Sequence, residues 1–248
     1  MTPVDKRLVV VSNRLPVDVR HTEEEGWSVH PAPGGLVTAL APIMRQNHGL
    51  WIGWPGCGPE APLEDLLTEL SAKQNYNLKA LPLTAEEVEK YYRGHANRTI
   101  WPLFHDLLGY FSFNYDNWHT YCEVNRRFAR AIVEAGTTNS FIWVHDYQLL
   151  MVGKFLREMG VRDYLSFFLH IPFPSLDLFR RLPSKEELLE AMLQYDHIGF
   201  QTPNDRRNFI HCLKWLVPEA RRMVNKRETI LQYEGRDIKV GHYPISID

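Results

Sequence analysis

The 248-residue sequence predicts an α/β fold with a mostly parallel, doubly wound sheet, and three observations lead there. Short apolar runs rich in β-branched and aromatic residues recur without polar alternation, as strands buried on both faces do. Segments with helical spacing separate them. Polar residues follow several runs at their C-terminal ends, the edge where open α/β sheets bind ligands.

Leu8 to Ser12 reads as the first buried strand. It runs into Asn13-Arg14-Leu15-Pro16, where proline ends regular pairing. His21 to Gly26 is charged and glycine-terminated, a loop or hairpin tip. Pro33-Gly34-Gly35 breaks the chain again, and Leu36 to Met44 has helical spacing. Leu50 to Trp54 is a second strand, Pro55 to Pro62 is turn-rich, Leu63 to Ser71 is a short helix, and a strand lies near Leu78 to Leu83. Thr84 with Glu87 forms a capping box that opens a helix to about Tyr92. Trp118 to Ala135 is a long helix. Phe141 to Val144 is a buried strand with His145-Asp146-Tyr147 at its end. Leu149 to Met159 is helical and stops at Gly160. Leu165 to Leu169 is a strand that ends in His170-Ile171-Pro172-Phe173-Pro174. Ser184 with Glu187 is a second capping box, for a helix to about Tyr195. His197 to Gln201 is a strand, Asn204 to Leu216 a helix, and Ile238 to Tyr243 the last strand.

Composition narrows the function classes. The chain carries 28 Lys and Arg against 30 Asp and Glu, a net charge of −2. No basic field recruits nucleic acid or an anionic membrane surface. No run of about 18 apolar residues and no basic-then-apolar leader occurs, so the expectation is a cytoplasmic protein. Cys57, Cys122 and Cys212 fit neither a disulfide framework nor a zinc site and read as reduced structural thiols. No metal-ligand spacing and no Ser/His/Asp or Cys/His arrangement occurs. The expectation is no metal and no cofactor.

Several polar groups could carry chemistry. Arg14 offers a planar fork suited to a phosphate, or a surface ion pair. Gly34-Gly35 before a helix would let an anion approach the backbone at the helix N-terminus, or simply form a turn; it is neither G-x-G-x-x-G nor a P-loop. Asp146 could accept from sugar hydroxyls or act as a base, or cap the following helix. His145 is equally placed, and pattern alone does not separate the two. His170, held by the two nearby prolines, could donate to a sugar hydroxyl or to developing charge, or be a core histidine. Tyr91, Tyr92 and Trp101 lie around Asn97 and could stack on a sugar or pack the core. Arg180-Arg181 reads as a solvated helix face.

Taken in order, the segments VVVSNRLP (9 to 16), PGGL (33 to 36), WIGW (51 to 54), YYRGHANRTIWPLFH (91 to 105), EVNRRFA (123 to 129), WVHDYQLL (143 to 150), FFLHIPFPS (167 to 175), YDHIGFQTPNDRRNF (195 to 209) and YPISID (243 to 248) resemble glycosyltransferase family 20, the family of the trehalose-6-phosphate synthases. The resemblance covers nearly the whole chain. It implies a GT-B fold, two Rossmann-like domains facing across a cleft, with residues 1–248 as the N-terminal, acceptor-side domain. Helices are then expected on both faces of the sheet. The C-terminal, donor-binding domain is absent from the chain.

The resemblance also implies roles. Arg14 looks like the grip on the acceptor's 6-phosphate, and Gly34 and Gly35 like the glycine loop against the donor diphosphate. Tyr92 and Trp101 look like acceptor-site aromatics. Trp101 and Ile171 match positions associated with the acceptor's anomer. Asp146 looks like an acceptor-binding aspartate, and His170 like the histidine beside the donor glucose and the reacting centre. One departure is HAN at 95 to 97, where the family more often has FSN. The insertion between Arg14 and Gly34 is also longer than in some members.

The implied reaction is retaining transfer of glucose from UDP-glucose to glucose 6-phosphate, giving α,α-trehalose 6-phosphate. The family is thought to react by same-face displacement without an enzyme nucleophile. The half-length chain alone is expected to be inactive and, with its interdomain face uncovered, to favour self-association. Rivals are a related acceptor, as in glucosylglycerol-phosphate synthases, and a non-catalytic regulatory or scaffolding subunit on the same fold.

Overall fold

The computed structural model describes residues 6–24, 26–32, 34–136, 138–223 and 229–244. Pro33 of the PGGL segment and residues 245–248 of YPISID lie outside them.

A nine-stranded sheet organises the chain. Its strands are β1 (Arg7–Arg14), β4 (Leu50–Trp54), β5 (Asn77–Ala80), β6 (Ser140–His145), β7 (Tyr164–Leu169), β8 (His197–Phe200), β9 (Arg221–Met223), β10 (Thr229–Tyr233) and β11 (Arg236–His242). They are ordered β5-β4-β1-β6-β7-β8-β11-β10-β9. All neighbours from β5 to β11 pair in parallel, and β10 and β9 continue the sheet antiparallel. The separate hairpin β2 (Val17–Thr22) and β3 (Gly26–Pro31) forms a two-stranded sheet. The chain builds outward from β1 through β4 to β5, then returns to β6 on the other side of β1 and builds the opposite way. The β1–β6 boundary is therefore the topological switch point.

The parallel strands are buried as their composition requires. Val9, Val11, Ile142, Val144, Leu165, Phe167, Ile198 and Phe200 share the larger core. Helices α5 (Tyr115–Glu134), α6 (Val152–Glu158), α8 (Lys185–Met192) and α9 (Pro203–Leu216) pack there. Val10 and Trp51 point to the other face, under α1 (Gly35–Gln46) and α2 (Leu63–Gln74). Helices thus lie on both faces, but cover the second unevenly. Phe141, Trp143, Ser166, Phe168, His197 and Gly199 line an apolar groove with Tyr243 and Pro244, and no residue of α1 or α2 lines it.

Several elements depart from the sequence expectation. The capping box at Thr84 and Glu87 is present and starts α3 (Ala85–Glu87). The helix does not stop near Tyr92. It widens into a π-helix, Val88–Ile100, and then α4, Trp101–Phe104. The Trp101 N–H donates to the Ala96 carbonyl, five residues back. Gly94 admits α5 closely: a Cβ there would lie 2.5 Å from the Asn117 amide nitrogen. The second expected capping box is absent, since Ser184 makes no capping bond and its Oγ is buried without a partner. The reciprocal pair is instead Thr202 with Asp205, around Pro203 at the first turn of α9. The expected helix from Leu149 is a 3₁₀ turn, Tyr147–Leu149, followed by α6. The four-residue α7 (Leu176–Phe179) was not expected.

The HAN departure has a structural setting. His95, on the π-helix, is fully buried among Phe113, Trp118 and Tyr121, with ring centroids 4.7 to 5.9 Å away. Neither of its ring nitrogens has a hydrogen-bond partner. Burial drives its pKa down to about 3, so the imidazole is neutral and acts as an aromatic filler.

Candidate ligand site at the β1–β6 switch point

Strand β1 ends in Ser12-Asn13-Arg14, and three neighbours fix that end. The Trp51 indole N–H donates to Ser12 Oγ at 2.8 Å. The Tyr91 hydroxyl donates to Asn13 Oδ1, also at 2.8 Å. The Arg14 guanidinium lies 4.4 Å from the centre of the Trp54 ring and pairs with Asp18. Gly56, at φ 92°, passes so close that a Cβ would sit 2.7 Å from the Arg14 Nη2. Arg14 is thus clamped by an aromatic face, a carboxylate and a side-chain-free backbone, with over a third of its side chain still open.

Next to it, Gly34 caps α1, whose first turn carries no acidic residue. An added Cβ at Gly34 or Gly35 would meet nothing within 4 Å. The protein's own packing therefore does not require glycine there. Both glycines line the cavity, and a helix N-terminus offers N–H groups and a favourable dipole there.

Asp146 follows β6 with φ 76° and ψ 169°, a region almost closed to residues with a side chain. The surroundings over-determine it. Its N–H donates to the Phe168 carbonyl at 2.8 Å. Its Oδ1 accepts from the Tyr147 N–H at 3.0 Å and the His170 N–H at 3.2 Å. The bond to Tyr147 is the helix-capping role that the sequence also allowed. Burial raises the carboxyl pKa to about 6, against the pull of those two N–H groups. A strained, buried carboxyl that titrates near neutrality is suited to exchanging a proton or a hydrogen bond with a bound hydroxyl.

His145 and His170 lie together just behind this carboxyl. His145 Nδ1 and His170 Nε2 are 3.1 Å apart, with the rings stacked at 5.3 Å. Burial lowers the pKa of both, His170 to about 4; for His145 the neighbouring His170 adds to the effect. Both rings are neutral at ordinary pH.

One cavity of about 390 Å³ gathers Arg14, Asp18, Gly34, Gly35, Tyr92, His145 and Asp146. His170 does not line it but is tied to two residues that do. Trp101 and Ile171 do not line it either. Trp101 is 39% exposed, stacks on His105 and meets Tyr147, and Ile171 is buried. A larger cavity of about 730 Å³, between α2 and β5, contains none of the candidate residues. Sequence reading passed over Asp18 and Trp54. Only the four-residue spacing from Arg14 hinted at the first, and the ending of WIGW at a strand terminus hinted at the second.

An open, mostly parallel sheet with a cavity at its switch point, lined by a cation at the end of β1 and by the first residues of α1, defines the class of α/β domain. Its particular family follows from comparison. The chain belongs to glycosyltransferase family 20, whose model matches residues 6–248. It is 40% identical over 244 residues to the trehalose-6-phosphate synthase of Mycolicibacterium gilvum, covering 97% of this chain and 48% of that protein. It superposes on a UDP-forming α,α-trehalose-phosphate synthase from Burkholderia xenovorans with a TM-score of 0.80 and 32% identity, over 98% of this chain and 48% of the other. The Escherichia coli trehalose-6-phosphate protein bound with UDP-2-fluoro glucose matches with a TM-score of 0.80 and 31% identity, over 98% and 49%. These likenesses to trehalose-phosphate synthases agree with the GT-B architecture expected from the motifs. The chain spans about half the length of the curated relatives it matches. No helix among the described residues is long and apolar enough to cross a membrane.

Proposed function

We propose that residues 1–248 form the acceptor-side half of a retaining glucosyltransferase that makes α,α-trehalose 6-phosphate from UDP-glucose and glucose 6-phosphate. The observation that carries the reading is the convergence of Arg14, Gly34, Gly35, Tyr92 and Asp146 on one cavity at the switch point. Arg14 holds the acceptor's phosphate, Asp146 and Tyr92 hold its sugar, and the Gly34-Gly35 turn faces the donor diphosphate. His170 supports the reacting centre; Trp101 and Ile171 shape the acceptor site from its edge. Catalysis then consists of positioning and of stabilising the leaving diphosphate. One solved relative, from Burkholderia xenovorans, is a complex with glucose 6-phosphate (TM-score 0.76, 30% identity, 97% of this chain and 50% of that one).

The donor-binding half of such an enzyme lies outside this chain. Two anionic ligands brought together need cations to offset their desolvation, and among the described residues Arg14 is the one cationic side chain in the cavity lining. Calorimetric titration of the chain with glucose 6-phosphate tests the reading, with glycerol 3-phosphate as the competing acceptor. Preferential binding of glucose 6-phosphate that Arg14→Ala abolishes is expected, with no UDP release from UDP-glucose by this chain alone. Equal binding of both phosphates would transfer the proposal to another acceptor. Binding indifferent to Arg14 would end it.

A further inference from the structure

His145 lines the cavity, and the proposed reaction gives it no role. It is buried, and its ring sits 4.6 Å from that of Trp143 on one side and stacks on His170 on the other. Its Nδ1 faces His170 Nε2 at 3.1 Å, while its Nε2 is buried with no hydrogen-bond partner among the described residues. His170 Nδ1 makes no hydrogen bond to the described residues, yet it is not among the sealed atoms. It keeps some exposure.

Two neutral imidazoles that share one hydrogen bond have two arrangements. In the first, His170 Nε2 carries the proton and donates to His145. His145 must then carry its own proton on Nε2, which strands an N–H donor in an enclosed space. In the second, His145 Nδ1 donates to His170 Nε2. The sealed His145 Nε2 is then a bare lone pair, and His170 carries its proton on Nδ1. Stranded N–H donors are rarer in folded proteins than under-satisfied acceptors. The enclosure of one atom on His145 thus selects the protonation site on another residue.

We infer that His145 is a positioning residue that locks His170 in its Nδ1–H form, so that His170 meets a ligand as a hydrogen-bond donor and not as a base. The inference rests on the reading of His170 as a site residue for its functional meaning, though the tautomer itself does not. A donor fixed before the ligand arrives requires no reorganisation when negative charge develops on a leaving oxygen. It also separates the two neighbours that the sequence left equivalent: Asp146 takes the acceptor side, and His145 sets the state of His170. Such second partners commonly decide which ring nitrogen of a histidine acts.

Long-range proton–nitrogen correlation spectra of the chain labelled with ¹⁵N-histidine test this without substrate. The His145 and His170 signals are assigned through variants at those two positions. The expected spectrum shows a pyrrole-type Nδ1 and a pyridine-type Nε2 on both residues. His145→Phe keeps the ring against Trp143 but removes the donor. It is expected to move His170 toward the Nε2–H form that free histidine prefers. His145→Asn, whose amide can replace the lost N–H, is expected to restore the Nδ1–H form. A proton on His170 Nε2 in the unaltered chain overturns the inference, as does a His170 tautomer indifferent to His145→Phe. The functional reading fails separately: were His170→Ala to leave binding of glucose 6-phosphate and of UDP-glucose unchanged, His170 would lose its place in the site while the tautomer assignment stood.

Discussion

Two parts of the molecule bury neutral histidine, and they do so differently. Under the π-helix, His95 is enclosed by aromatic rings with both nitrogens unpaired. At the switch point, His145 and His170 share a hydrogen bond and touch a buried carboxyl through the His170 N–H. Desolvation suppresses the charge in both places. In the box the polar atoms go to waste, so the environment tolerates imidazole without using it. At the cleft one unpaired atom fixes the state of the others. The difference teaches that a lowered histidine pKa does not by itself mark a site; what the second nitrogen touches does.

The largest expected effect tests what the two regions share. His95, with a pKa near 3, and His170, near 4, both stay neutral well below the ordinary value of 6.5, and His145 lies lower as well. Above pH 6.5 neither state of the protein binds the extra protons. Below it the unfolded chain does and the folded chain does not, so stability falls as pH falls. Asp146 works the other way. Its folded pKa of about 6 against an ordinary 3.8 means that the folded state holds the proton between those values. At about 1.4 kcal/mol per pH unit for each group, three histidines against one carboxyl give a net loss of about 2–3 kcal/mol between pH 6 and 5. Urea unfolding at the two pH values measures it. A stability flat over that interval would mean that the histidines are not buried as described.

Arg14→Ala separates the regions. It should weaken binding of glucose 6-phosphate roughly ten- to hundredfold, the worth of a charge-assisted bond of about 1.5–3 kcal/mol. Calorimetry reads it. The His95 box, examined through the unfolding midpoint, should not notice.

His95→Phe sharpens the contrast from the other side. Replacing a buried imidazole that has no partner with a phenyl ring should stabilise the protein by about 1–2 kcal/mol at pH 7.5, because an unpaired polar group is lost. It should also remove one histidine's share of the acid sensitivity. Ligand binding should not change. A destabilised variant would mean that the box uses a nitrogen after all. The smallest effect is expected at Ser184, where the hydroxyl is buried and unpaired. Ser184→Ala should shift stability by under about 0.5 kcal/mol in either direction, since no hydrogen bond is lost.

The parallel strands could be read from the sequence because burial on both faces leaves one kind of residue to choose from. Leu50–Trp54 was placed with the bounds it has in the structure. The strands that the sequence does not reveal are short and partly exposed: β2 and β9 carry charged residues, β3 and β10 are interrupted by polar ones, and none offers a continuous apolar run. The π-helix escaped for a different reason. Widening the turn disturbs the 3.6-residue rhythm on which helix reading depends, and past Tyr92 the polar and small residues Arg93, Gly94, Asn97 and Arg98 dilute the spacing of Ala96, Ile100 and Leu103. Ser184-x-x-Glu187 had the letters of a capping box without its geometry, whereas Thr202-Pro203-Asn204-Asp205 had the geometry in a less familiar spelling. Of the cavity, the residues at strand ends were visible, because strand position predicts them. Asp18 and Trp54 were not. Asp18 matters through its pairing with Arg14, and Trp54 through its contacts with Arg14 and Tyr92; contact across elements leaves no trace in local spacing.

The central place of β1 carries a cost in time. Leu8 pairs with Phe141, more than half the chain later. At a synthesis rate of about 5–20 residues per second, the ribosome needs roughly 7–27 seconds after making β1 to supply β6. The neighbour on its other edge, β4, emerges much earlier and can protect only that side. During the interval Val9, Val10 and Val11, fully enclosed in the finished sheet, present an open strand edge of high β-propensity to any passing chain. The arrangement that sets Arg14 at the switch point thereby makes the nascent protein dependent on whatever shields that edge until its second half-sheet arrives.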